Sequence, residues 1–276
     1  MPITDTFEVP DQAFRMGQTR TRDGTAMDFM WTLTNTMWDM ASHLTYARGT
    51  WGYTIFRTVF TKESDRQFSI AMEKMEKWAT QYYLHYNRFC SWGERGLRNE
   101  KTDGSVNDEL ARRFRVELIE DKQLDVPVLQ NATPEDVERL CDGFLRWVLS
   151  VGGDPECRDG ATNPRMQLFL AIDSECLKEL ANMSDELLPL NTAPTHEEYV
   201  RRIQTRPGWI WGFDYHGIRD YKPNDSAVEG RGWMRMSLGI LAEAWFSKAK
   251  GLKDDQRTLQ CYDTTDSSGN IQFWCY

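Results

Sequence analysis

The stretch WGYTIFRTVFTKESDRQFSIAMEKMEKW, residues 51–78, constrains the fold more than any other part of the chain. Trp51 to Phe60 is dense in aromatic and β-branched residues, which favours a strand. Alternation puts Trp51, Tyr53, Ile55, Arg57 and Val59 on one face and Gly52, Thr54, Phe56, Thr58 and Phe60 on the other. Both faces are mostly apolar, so this strand reads as central and covered on both sides. The TKESDRQ that follows contains a capping-box pattern, Ser64 with Gln67 three residues on. Phe68, Ala71, Met72, Met75, Trp78, Ala79, Tyr82 and Tyr86 then form a helical stripe, with Glu73, Lys74, Glu76 and Lys77 on the opposite face.

The remaining chain continues this alternation. Residues 1–24 are polar with scattered Pro and Gly and read as an irregular arm; residues 25–276 read as a single domain. Met27 to Leu44 has helical spacing, and Gly49 ends that element. Residues 91–110 read as an exposed loop, and 113–120 as a second strand. Thr133 caps a helix that has Pro134 at its first position and Val137, Leu140, Cys141, Phe144, Leu145 and Val148 on its face. Residues 166–173 form a third strand, with Asp173 or Ser174 capping a short helix to Leu180. Thr195 and Glu198 make another capping box, and 209–215 a fourth strand. A polar loop then leads into a last helix that begins near Ser237, and the aromatic tail FWCY is suited to docking on the body. This order predicts an α+β fold: a ferredoxin-like or related sandwich of a mixed sheet with flanking helices. A doubly wound nucleotide-binding sheet is the runner-up, but no GxGxxG or GxxxxGK[ST] follows any strand.

Composition narrows function mostly by exclusion. A formal net charge of −9 disfavours a generic nucleic-acid binder, although Arg112, Arg113 and Arg115, and Arg201, Arg202 and Arg206, form local basic clusters. The six cysteines are scattered with no CxxC pair, so neither a zinc site nor a disulfide framework is expected. The start lacks a signal-peptide pattern and no apolar run reaches spanning length, so a cytoplasmic chain with no membrane partner is expected. No cofactor or metal is expected, and the oligomeric state stays open.

The candidate chemistry rests on charged residues within apolar strands. Arg57 lies inside the first strand, where a buried guanidinium needs a carboxylate or a ligand anion. Asp173 ends the third strand, Glu175 follows within one turn, and Asp214 lies near the end of the fourth. Side-by-side strands would let Arg57, Asp173 and Asp214 converge at one end of the sheet. That cluster reads either as a buried ion pair fixing the packing or as a pocket for a cationic substrate group. His216 sits at a strand exit, where it could act as a general base. Trp209, Trp211, Phe213, Tyr215 and Tyr221 read either as core or as stacking walls for a flat substrate.

WGYTIFRT with ESD (Trp51–Thr58, Glu63–Asp65), LFLAIDSECL (Leu168–Leu177) and GWMRMSLGIL (Gly232–Leu241) together resemble a large set of uncharacterised filamentous-fungal proteins. The chain also resembles, more distantly, the fungal arginine-containing cyclodipeptide synthases, which take aminoacyl groups from tRNAs. That resemblance implies a biosynthetic transferase of secondary metabolism with aminoacyl-tRNA as partner and a small-molecule or amino-acid substrate. In such an enzyme Asp173, Asp214, Arg57 and Trp211 would bind substrate, and His216, Tyr215 and Glu175 would act catalytically. Arg201, Arg202 and Arg206 would meet tRNA phosphate. Two alternatives come from other classes: a non-catalytic interaction module, and a cofactor-free cyclase or oxygenase of secondary metabolism.

Overall fold

A computed structural model describes residues 49–80, 104–154, 164–185, 195, 197–198, 208–220, 232–242, 244–245, 248, 264–265 and 271–273. The expected N-terminal arm and first helix, and most of the short helix expected after Thr195, lie outside these residues.

The strand in the most constraining segment is β1 (Thr54–Arg57), all four residues buried. It feeds α1 (Lys62–Lys77), whose capping box joins Thr61 and Ser64 rather than Ser64 and Gln67. The helix begins three residues earlier than the Ser-x-x-Gln pattern suggests, because Thr61 Oγ1 accepts from Ser64 N at 3.0 Å while Ser64 Oγ accepts from Thr61 N at 2.8 Å. Residues 104–112, partly within the expected loop, form α2 (Gly104–Arg112). Next come β2 (Glu117–Ile119) and α3 (Pro134–Ser150), whose Thr133 cap and Pro at the first position match the sequence reading. β3 (Leu168–Ile172) and α4 (Ser174–Ala181) follow, with Asp173 as the α4 cap. β4 (Trp209–Asp214) runs directly into the short α5 (Tyr215–Asp220).

β5 (Trp233–Ser237) occupies a stretch expected to be loop and helix start. Its Trp-Met-Arg-Met run has strand alternation, but the neighbouring Leu238–Leu241 gives it a continuous apolar look. Two short strands complete the sheet, β6 (Thr264–Thr265) and β7 (Ile271–Phe273). β7 pairs in parallel with β5, Phe273 opposite Met236; the rest of the aromatic tail lies outside the described residues.

All described strands join one mixed sheet in the order β2-β1-β3-β4-β5-β7-β6. The fold is therefore α+β with flanking helices, of the related-sandwich kind. A split βαβ unit would place a strand between the parallel partners, whereas β1 pairs directly and in parallel with both β2 and β3. The chain steps outward from β1 to β2 and then back across β1 to β3. Right-handed crossovers in opposite directions put their helices on opposite faces. α1 covers the Ile55 and Arg57 face, where Phe68 lies 4.7 Å from the Arg57 guanidinium. α3 covers the Phe56 and Phe169 face, where Phe144 stacks on Phe169 at 4.6 Å. From there an aromatic ladder crosses the sheet, Phe169 on Phe213 at 4.7 Å and Phe213 on Trp233 at 5.7 Å.

Residues 121–132, between β2 and α3, lie across the C-terminal ends of β1 and β3. Val126 N donates to Thr58 O at 2.9 Å, Ser174 N to Pro127 O at 3.0 Å, and Leu129 N to Asp173 Oδ2 at 2.8 Å. Buried Leu124, Val126 and Leu129 anchor the segment. In open parallel sheets the crevice at these strand ends holds ligands. Here the chain's own backbone fills that place, which agrees with the lack of a glycine-rich phosphate loop.

Candidate functional site

Strand direction decides which charged residues can meet. β3 and β4 are antiparallel, with Leu168 opposite Asp214 and Ala171 opposite Trp211. Asp173 therefore emerges where β4 begins, while Asp214 ends β4 beside the start of β3. Five residues at about 3.3 Å each set them roughly 16 Å apart, at opposite poles of the sheet. The expected convergence of Arg57, Asp173 and Asp214 does not occur, because it required β3 and β4 to run the same way.

Arg57 has other partners. Its guanidinium pairs with Glu120 at 2.8 Å and with Asp65, donates to Ser64 Oγ at 3.1 Å, and lies 5.0 Å from the Phe60 ring. Burial acts to lower its pKa, but the hydrogen bonds it donates to Glu120 and Asp65, with their negative charges, outweigh this and hold it above the ordinary arginine value. Arg57 thus ties the β1–α1 corner to the end of β2, and neither Asp173 nor Asp214 is its partner.

At the Asp214 pole, Asp214 is 1% exposed. Its Oδ2 accepts from Lys248 Nζ at 2.8 Å and its Oδ1 from Gly217 N at 3.2 Å. The carboxylate is consumed by a buried ion pair and by the start of α5. His216 and Tyr215 are buried beside it, with Tyr215 packed on Phe144 at 5.9 Å and under Arg219 at 5.5 Å. This pole reads as packed interior. Lys248 was not a candidate on sequence, where it lies on the last expected helix, just before Ala249.

The opposite pole brings together three of the predicted residues, Asp173, Glu175 and Trp211. Asp173, 0% exposed, accepts from Cys176 N at 2.9 Å, Leu129 N at 2.8 Å and Trp211 Nε1 at 2.9 Å. Burial, with the nearby Glu175 charge, raises its pKa despite those three bonds. Asp173 therefore orients the Trp211 indole from within. Next to it the Arg235 guanidinium lies 4.1 Å from the Trp209 ring and 5.4 Å from Trp211. Arg235 pairs with Glu175 at 2.8 Å, the two side chains being 14% and 50% exposed. Arg235 Nε is buried with no hydrogen-bond partner. Trp209 is partly exposed and meets Trp211 edge-on at 5.5 Å.

An accessible carboxylate, a stacked guanidinium and an indole wall thus share one end of β4 and β5. Glu175 can take or give a proton, Arg235 can fix it and offer donors to an anion, and Trp209 can stack a flat group. Arg235 carries the same signal as Arg57, a cation in an apolar strand, but its strand was not recognised from sequence. Arg201, Arg202 and Arg206 lie outside the described residues. Of the other basic cluster, Arg113 is buried, bonded to Glu109 at 2.5 Å and to Gly49 O at 3.0 Å. Among the described residues no group of three or more His, Cys, Asp or Glu side chains could hold a metal ion, and no helix is long and apolar enough to cross a membrane.

Comparison with protein-family models, with curated proteins and with solved structures gives no match for this chain.

Proposed function

We propose that this chain is a biosynthetic enzyme that transfers aminoacyl groups from tRNA, forming a cyclodipeptide, with its centre at the Glu175–Arg235–Trp209 pole. One observation carries the reading. Glu175 is half-exposed yet held at 2.8 Å by Arg235, which is itself stacked on Trp209. A carboxylate that is both reachable and fixed is what a general base requires. The resemblance to the arginine-containing cyclodipeptide synthases supplies the reaction class.

In this reading the amine of one aminoacyl group attacks the ester carbonyl carbon of the other. A nitrogen–carbon bond forms, the carbon–oxygen bond to the tRNA ribose breaks, and Glu175 passes the amine proton to the departing hydroxyl. The free amine of the dipeptide then attacks the remaining ester carbonyl carbon, closing the ring as that carbon–oxygen bond breaks and the second tRNA leaves with the amine proton on its ribose hydroxyl. Trp209 stacks the terminal base and Arg235 meets phosphate, while Arg201, Arg202 and Arg206 remain candidates for phosphate further along. Asp173 acts through Trp211 as a positioning residue. With a net charge of −9, the basic surface must be strongly segregated.

A second reading, a non-catalytic interaction module, is favoured by one fact: Asp173, Asp214 and Arg57 all have protein partners. Expression in a bacterial host with metabolite profiling separates the two. New diketopiperazines are expected from the enzyme. Soluble protein with no new product and no retained tRNA would remove the synthase reading and leave the interaction module.

A further inference from the structure

The Glu175–Arg235 pair has a geometry that suits one kind of small molecule. It places a carboxylate and a guanidinium 2.8 Å apart, with the Glu175 side chain 50% exposed and that of Arg235 14%. Trp209, partly exposed, lies 4.1 Å from the guanidinium. Behind this rim the frame is rigid. Trp211 is buried and tied to Asp173 at 2.9 Å, and Trp233 lies 5.4 Å from Trp211. Arg235 also has a donor to spare, since its buried Nε has no acceptor. A buried donor left without a partner is unfavourable, so it marks a place where an acceptor would be favoured.

We infer that Glu175, Arg235 and Trp209 form a binding site for the zwitterionic head group of a free α-amino acid with a flat side chain. The ammonium pairs with Glu175, the carboxylate pairs with Arg235, and the side chain lies on the Trp209 indole. A zwitterion and a surface ion pair are complementary as antiparallel dipoles, because each charge of one meets its opposite in the other. A ligand with only one charge would compete with one residue of the pair for the other, and would gain less. The aromatic wall adds a stacking surface for the flat side chain. Two exposed ion pairs add little each, so a dissociation constant near 1 mM is expected, about −4 kcal/mol. The inference needs only the ion pair and the indole, and does not depend on the transfer reaction.

Saturation-transfer NMR on the full chain tests it with L-phenylalanine as probe. Two analogues accompany it: the amide, which lacks the carboxylate charge, and the N-acetyl derivative, which lacks the ammonium. Saturable binding of L-phenylalanine is expected, with each analogue weakened about threefold. Glu175→Gln should abolish discrimination against the N-acetyl form and leave discrimination against the amide. Arg235→Lys should weaken the preference for the free carboxylate, since lysine keeps the charge but loses the fork. Trp209→Ala should weaken all three ligands together. Lack of saturable binding up to roughly 10 mM, or equal affinity for the three ligands, would overturn the inference. Diketopiperazine production without amino-acid binding would remove this site and leave the transferase. Amino-acid binding without product would do the reverse.

Discussion

Replacing Asp173 tests whether one buried carboxylate holds the candidate site together. Three donors converge on it, Cys176 N, Leu129 N and Trp211 Nε1, at 2.8 to 2.9 Å. Asp173→Ala removes the α4 cap, which costs about 1 kcal/mol. It also leaves the Leu129 amide and the Trp211 indole N–H buried without acceptors, at about 1–3 kcal/mol each. The total is about 3–7 kcal/mol, a large fraction of the stability of a typical domain. With a urea m-value of about 3 kcal/mol/M, the unfolding midpoint should fall by more than about 1 M. Asp173→Asn has one acceptor oxygen; turned toward Leu129 N and Trp211 Nε1 it keeps those two bonds and gives up the α4 cap, so it should lose about half as much. A pH series adds a signed test. Burial raises the folded pKa of Asp173 above its ordinary 3.8, so its stabilising contribution is fully present below that value and is lost as pH rises through the folded pKa. The deficit of Asp173→Asn relative to the native chain should therefore widen as the solution is acidified. A midpoint for Asp173→Ala within about 0.3 M of the native one would refute the reasoning, because the three bonds would then carry little.

Other expectations follow from burial and backbone geometry. Lys248→Met strands the Asp214 charge in the interior and should cost about 3–5 kcal/mol in urea unfolding, and adding Asp214→Asn should restore more than half. Gly52 has φ +128° and an added Cβ would stand 2.2 Å from Arg115 O; at Gly232 the values are +77° and 2.4 Å from Ile218 N. Either Gly→Ala change should cost about 2 kcal/mol or more in the same assay, whereas an open, unstrained glycine would show no loss. Burial pushes the Cys141 thiol up to about 12 and the Cys176 thiol well above its ordinary range. Peptide mapping after iodoacetamide treatment should find both unmodified in the folded chain and both labelled in urea.

Local patterns made most of the architecture readable. The Trp51–Phe60 run, the Thr133–Pro134 helix start and the cap at Asp173 or Ser174 each announce themselves within a few residues, and a strand (Thr54–Arg57) and two capped helices form there, Asp173 being the cap. The misses come from information that is not local. β5 was hidden because Trp233–Ser237 merges with the apolar residues of the element after it. Without β5, Arg235 could not be recognised as a charge on a buried strand, and Glu175 lacked its partner. The site failed in sequence at one specific step, the direction of β4. Alternation tells which face Trp211 shares, but nothing in WIWGFDY says that the strand runs antiparallel to LFLAI. That single sign sends Asp214 and His216 to the far pole and leaves Asp173, Glu175 and Trp211 together. Arg57 reads from sequence as a guanidinium in need of a carboxylate or a ligand anion, with Asp173 or Asp214 as the expected partner. Its real partners, Asp65 and Glu120, are one helical turn away and one strand over.

The most direct test of the proposed transfer reaction compares the native chain with Glu175→Gln, expressed side by side in one bacterial host and profiled for diketopiperazines. Gln keeps the shape and the hydrogen bond to Arg235 but cannot accept a proton as a base. The account predicts product from the native chain and at least about a hundredfold less from the variant at equal folded yield. Equal product from both would contradict the role given to Glu175 and move the chemistry to another part of the molecule.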